Sequence, residues 1–251
     1  MSKIISTHSF KRGVGRTNLT ANLATLLSLR GQRVGVVDAN FQSPSLHFLF
    51  NLTEQDLPWS LNDYLWGNCD IEQTAYDVSA LLGQNYSAQL FLIPGNINLD
   101  EIAQALHQGH DVKLLHTGLE KLIERLKLDV LMIDTQHGLN EATLFTIALS
   151  DVLLLILRTD HQDFRGTDIT VELARKLEVP QIMLIVNEVP ATFDFTAVKA
   201  EMEQIYQCEV VALLPHYEEM MALGSAKIFV LNHPEHPLTG QLNRIADQLL
   251  A

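Results

Sequence analysis

Cysteine is nearly absent from this sequence: the two present, Cys69 and Cys208, lie far apart and belong to no CxxC or CxC pair. That excludes a disulfide framework and a cysteine-ligated zinc centre, and it reads as free thiols in a reducing compartment. Long hydrophobic runs are missing too. No stretch approaches the roughly 20 apolar residues that span a bilayer, so no integral membrane segment is expected. The opening MSKIISTHSF has no apolar core of a secretory signal, and the expected location is cytoplasmic. Basic charge is scarce: 17 Lys and Arg stand against 30 Asp and Glu, a formal net charge of −13. Such a mean field repels phosphate backbones and anionic lipid, so any nucleic-acid contact must come from a local patch. Repeats, low-complexity tracts and charged tails are also lacking.

What is present fits one α/β domain spanning residues 1–251, a length that buries a substantial core without covalent staples. Short β-branched apolar runs alternate with helical patterns: Lys3 to His8, Arg33 to Asp38, Leu90 to Pro94, Asp129 to Asp134, Asp151 to Leu157, Gln181 to Asn187 and Glu209 to Pro215. Continuous runs such as Val130-Leu131-Met132-Ile133 suit strands covered on both faces. The expected fold is therefore α/β, a doubly wound, mostly parallel sheet flanked by helices. Ligands in such folds sit beyond the carboxyl ends of the strands, so the residues just after each run carry the functional information.

After the first run comes Phe10-Lys11-Arg12-Gly13-Val14-Gly15-Arg16-Thr17, and then a helical stretch from Asn18 to Leu29 with Gly31 as its cap. A Gly-rich strand-to-helix loop turns backbone N–H groups toward an anion, the helix start adds partial positive charge, and a Thr hydroxyl suits Mg²⁺. The strict phosphate-loop pattern is broken: Phe10 stands where its first Gly belongs and Arg16 where its Lys belongs.

With its neighbours, this loop resembles the MinD/ParA family, whose deviant Walker A motif reads K-G-G-x-G-K-[ST] where this chain has K-R-G-V-G-R-T. Val36-Val37-Asp38-Ala39-Asn40-Phe41-Gln42-Ser43-Pro44-Ser45-Leu46 looks like that family's switch I, and Asp134-Thr135-Gln136-His137-Gly138-Leu139 like its switch II. The segment Asp160 to Gly166, the strand end Val186-Asn187-Glu188 and the turn Leu214-Pro215-His216 are further likenesses. The resemblance implies ATP and Mg²⁺ as ligands and a nucleotide-dependent homodimer. It implies that Lys11, Arg12, Gly13, Val14, Gly15, Arg16, Thr17, Asn18 and Asn187 bind nucleotide, with Asn187 at the adenine. Thr17, Asp38 and Asp134 would hold the metal; Lys11, Arg16, Asp38 and Asn40 would serve catalysis, Lys11 across the dimer.

Three departures bear on chemistry. Arg16 keeps the charge of the family lysine but replaces a point charge with a planar fork. Asn40 replaces an aspartate that orients the attacking water, and an amide is a very poor proton acceptor. Arg12 replaces Gly, strained if the backbone there needs positive φ and a further phosphate contact if it does not. Gln136 and His137 stand where the family often has two prolines and read as a solvated loop. Slow hydrolysis is the expectation.

Two functions follow from the resemblance: a positioning or partitioning ATPase with a protein partner or cargo adaptor, or a non-hydrolysing ATP sensor. The C-terminal stretch Gln241 to Ala251, with one Arg and one Asp, is a poor lipid-binding face and reads as a packed helix. Arg158, Arg165, Arg175 and Lys176 leave room for a non-specific DNA patch, against the plainer reading of a solvated helix face. Bridging cysteines of the kind that metal-delivery relatives carry after the switches are not found. Trp59, Tyr64 and Trp66 in the acidic segment from Asn51 to Val78 are expected to pack locally.

Overall fold

A computed structural model describes residues 2–83, 89–95 and 112–251. Its centre is one eight-stranded sheet in the order β3-β4-β2-β5-β1-β6-β7-β8. The strands are β1 (Lys3–His8), β2 (Arg33–Ala39), β3 (Tyr76–Asp77), β4 (Gln89–Ile93), β5 (Val130–Thr135), β6 (Val152–Leu157), β7 (Gln181–Val189) and β8 (Glu209–Pro215). All neighbours run parallel except β3 against β4. The short antiparallel β3 is the one strand that the apolar runs did not announce, because two residues are too few for a periodic signal.

Every side chain of β5 and β6 is buried, as a sheet covered on both faces requires. Alternation along each strand divides the core. Val34 and Val36 of β2 and Leu154 and Ile156 of β6 face α1 (Arg16–Leu29) and the C-terminal helix (Pro237–Leu250). Val37 and Ile133 face the opposite layer with Leu119 and Leu122 of the helix Val112–Leu126. Leu153, Leu155 and Leu184 pack there on Val198 and Met202 of the helix Phe195–Tyr206.

The C-terminal helix buries Leu238, Leu242, Ile245 and Leu249, as a packed helix should. Arg30 fixes it to α1 by donating to the Asp247 carboxylate at 2.8 Å and the Asn243 carbonyl. Tyr64 is buried, and Tyr76 donates to the Trp59 carbonyl at 2.7 Å. Among the described residues, no helix is long and apolar enough to cross a membrane.

Register places the chemistry. Asp38 of β2 is the direct neighbour of Asp134 of β5, so two carboxylates stand side by side at the carboxyl end of the sheet. The loop from β1 to α1 crosses the same end.

Candidate functional site

The phosphate-loop candidate begins at Ser9 and runs into α1. Gly13 and Gly15 take φ of 77° and 90°, the left-handed region open to glycine. Gly15 is the N-cap of α1 and no side chain caps the helix, which leaves its first N–H groups free for an anion. A Cβ on Gly15 would lie 2.5 Å from Asn187 Nδ2, so the absence of a side chain admits Asn187, whose amide donates to the Val14 carbonyl at 2.9 Å. Arg12 is not among the left-handed residues, so its backbone carries no such strain.

Phe10 has a comparable fit. A Cβ on Gly166, in the helix His161–Lys176, would stand 2.1 Å from the Phe10 ring. The bulky residue where the strict motif has its first Gly is thus accommodated by a glycine elsewhere.

Around the loop lies a cavity of about 520 Å³, lined by Ser9, Arg12, Gly13, Arg16, Asn40 and His137 among others. A more apolar hollow of about 190 Å³ adjoins it, walled by Asn187, Pro215, Tyr217, Met220 and Leu238. The two share Gly15, Asn18, Glu188, Met221 and Ser225. A cleft with an apolar end and a cationic end, meeting at a helix N-terminus, suits a flat base joined to a chain of phosphates.

Beneath the cavity the carboxylates are fully engaged. Asp134 accepts Arg16 Nε at 2.6 Å on one oxygen and Thr17 Oγ1 at 2.7 Å on the other. Arg16, expected at the phosphates, is 7% exposed and turned down into this pair. Asp38 accepts N–H groups from Asn40, Ser45 and Leu46. Burial and then the neighbouring Asp134 push its pKa up to about 7 against those three donors.

Thr17, Asp38 and Asp134 present the hard oxygens that Mg²⁺ prefers. Among the described residues no group of three or more His, Cys, Asp or Glu could hold a metal. Bound at the Thr17, Asp38 and Asp134 oxygens, Mg²⁺ would neutralise charge on the outer phosphates.

Lys11 donates to both oxygens of Asp160 at 2.9 and 3.1 Å. Asp160 also caps the helix His161–Lys176; burial works against its ionised form, but the Lys11 bond and the helix N–H groups hold its pKa low. Within this chain, the lysine expected to reach a partner's nucleotide is therefore tied in cis. Asn40 donates to the Ser43 carbonyl at 2.8 Å while its Oδ1 is buried and unpartnered.

Two expectations need correction. Gln136 is buried and His137 lines the cavity, so this pair is no freely solvated loop. His137 titrates below its ordinary range because of burial, then Arg16 and Arg12. Arg158 belongs to the cleft rather than to an outward basic patch: it donates to the Gly13 carbonyl and to Glu188 Oε1, the latter at 3.0 Å. Glu188 is aimed there by a left-handed φ of 54° at an irregularity in the β7–β8 register. Arg158 follows β6 directly, so the strand-end rule that exposed the other site residues would have found it. Arg175 is likewise spent, on the Tyr206 and Gln207 carbonyls.

His8, at the end of β1, was not anticipated. It is fully buried, with Nδ1 2.8 Å from Thr135 Oγ1. Burial and then Arg16 lower its pKa from 6.5 to about 3. The fold thus requires neutral His8, and stability is lost as pH falls below 6.5 toward 3, where only the unfolded chain takes the proton. At pH 5 this costs about 2 kcal/mol. Urea denaturation at pH 7.5 and pH 5 should show His8→Asn losing about 2 kcal/mol less than the wild type; equal losses would contradict it.

A loop of this shape opening α1, with carboxylates at the ends of two adjacent strands, defines a P-loop nucleotide-binding protein. The family model described as an AAA domain (AAA_31) matches residues 2–179. The chain is similar to an uncharacterized ATP-binding protein of Methanocaldococcus jannaschii, 27% identical over 258 residues, covering 100% of this chain and 88% of that one. It is also similar to the septum site-determining protein MinD of Synechocystis sp., 28% identical over 189 residues, covering 74% and 65% of the two chains. Among solved structures, MinD complexed with Mg-ADP from Pyrococcus horikoshii superposes with a TM-score of 0.79 at 19% identity, covering 99% and 96%. The chain belongs to this AAA-domain family, in its MinD/ParA class of P-loop ATPases.

Proposed function

We propose that this chain, as one nucleotide-binding domain in the cytoplasm, binds Mg-ATP in the cleft and acts as a nucleotide-dependent dimeric switch in intracellular positioning or partitioning, with slow hydrolysis. The observation that carries the reading is the junction of the apolar hollow and the cationic cavity at the uncapped start of α1. Gly13, Val14, Gly15, Arg16, Thr17 and Asn18 surround the phosphates, Asn187 stands beside the base, and Thr17, Asp38 and Asp134 hold Mg²⁺. The Mg-ADP complex of the Pyrococcus protein supports the choice of ligand.

Slow hydrolysis follows from two side chains. Asn40 lines the cavity with an amide, which is no base, and Arg16 bonds Asp134 through Nε and Ser9 through Nη1 rather than standing free for phosphate. The same observations favour a second reading, an ATP sensor that never hydrolyses. A protein partner or cargo adaptor is part of either; of the four candidate cations for a DNA surface, Arg158 is paired with Glu188.

Thermal unfolding tests the ligand. At a hundred times the dissociation constant, Mg-ATP should add about 2.7 kcal/mol, roughly 5–10 °C for a chain of this size. Thr17→Ala should remove most of the shift. A wild type that melts at one temperature with and without Mg-ATP would overturn the reading.

A further inference from the structure

We propose that Arg12 is a terminal-phosphate sensor acting in cis, which makes the site discriminate ATP from ADP and couples that choice to the segment from Asn40 to Leu49. The proposal rests on the nucleotide reading above and assigns a role within that site.

Position in the cleft comes first. Ser9, Arg12, Asn40, Ser43, Ser45 and His137 line the cationic cavity but not the hollow that suits the base. With Gly13, Arg16, Thr17 and Arg158 they form the part of the cleft outside that hollow, the part left to the phosphates of a nucleotide whose base fills it.

Charge comes second. Three arginines line the cavity. Arg16 is paired with Asp134 and Arg158 with Glu188. Among the described residues Arg12 has no carboxylate partner; its Nη2 donates only to Ser43 Oγ, at 3.1 Å. An exposed guanidinium bonded to a neutral hydroxyl gives up little when an anion arrives, and the charge-assisted bond it gains is the stronger kind. Burial and then Arg16 lower the pKa of His137, on the opposite switch, and the Arg12 field adds to them.

Connection comes third. Ser43 and Asn40 close a turn on each other: Ser43 N–H donates to the Asn40 carbonyl at 3.1 Å, and Asn40 Nδ2 donates to the Ser43 carbonyl at 2.8 Å. Asn40 is 93% buried by its 7% exposure, and its unpartnered Oδ1 belongs to a residue lining the same part of the cleft. Arg12 therefore holds the turn that carries Asn40, and a phosphate drawing on Arg12 acts on that turn through one side chain.

The test is calorimetric titration with Mg-ADP and with the non-hydrolysable Mg-AMPPNP, alongside hydrogen exchange over residues 40–49. Arg12→Ala should weaken AMPPNP roughly 10- to 100-fold and ADP no more than about threefold. Arg12→Lys, which keeps the charge, should recover part of the loss. AMPPNP should slow exchange at residues 40–49 more than ADP does in the wild type and equally in Arg12→Ala. Equal losses for both nucleotides, or none for either, with a wild type that binds both, would overturn the sensor and leave the nucleotide reading standing. A wild type that binds neither would overturn both.

Discussion

Asp134→Ala should destabilise the nucleotide-free protein by about 3–5 kcal/mol, the usual cost of removing one partner from a buried ion pair. Arg16 is 7% exposed and donates its Nε to Asp134 at 2.6 Å. Without the carboxylate it keeps only Ser9 Oγ, at 3.3 Å. Thr17 loses its acceptor as well. For a chain of this length the melting temperature should fall by roughly 8–15 °C. Replacing both members, as in Arg16→Met with Asp134→Leu, should recover much of the loss, because an apolar pair of similar volume needs no desolvated charge. A double variant no more stable than Asp134→Ala, compared by urea denaturation, would show that the pair is not what the site depends on.

The second large effect is a gain. Asn40→Asp should speed phosphate release from Mg-ATP about 100-fold or more, within the 10²–10⁴ range of a positioned general base. Asn40 already lines the cavity; the carboxylate loses the bond that the amide Nδ2 donates to the Ser43 carbonyl and turns an oxygen from that carbonyl toward the cavity. In the proposed Mg-ATP complex the charge of neighbouring Asp38 is offset by the Mg²⁺ it would hold, which limits repulsion between the two. Unchanged turnover in a variant that still binds ATP would move the fault to Arg16, whose departure from Asp134 would then limit the reaction.

The sheet was legible because a parallel strand buried on both faces must be apolar throughout, and Val130 to Ile133 could hardly be read otherwise. So were the strand-end residues, since ligands sit beyond the carboxyl ends of parallel strands; the Asp38–Asp134 adjacency was not, because β5 inserts between β1 and β2 in the sheet and not in the sequence. Side-chain direction was not. Nothing local says that Arg16 folds onto Asp134, 118 residues away, or that Lys11 closes on Asp160; those choices depend on which carboxylates the fold brings near. Phe10 looked like damage to a motif because its counterpart, Gly166, lies in another helix. His8 gave no periodic signal, standing after Ser6 and Thr7 in a run of buried polar residues at the end of β1.

If the proposed switch holds, ATP rather than ADP assembles this chain while hydrolysis lags. Molar mass by light scattering, with phosphate release followed on the same sample, tests it in Mg-ATP, Mg-ADP and no nucleotide. The expected result is a dimer in Mg-ATP alone, persisting through the run with little phosphate released. A mass that ignores the nucleotide, or a dimer that empties its ATP as fast as it forms, would contradict it.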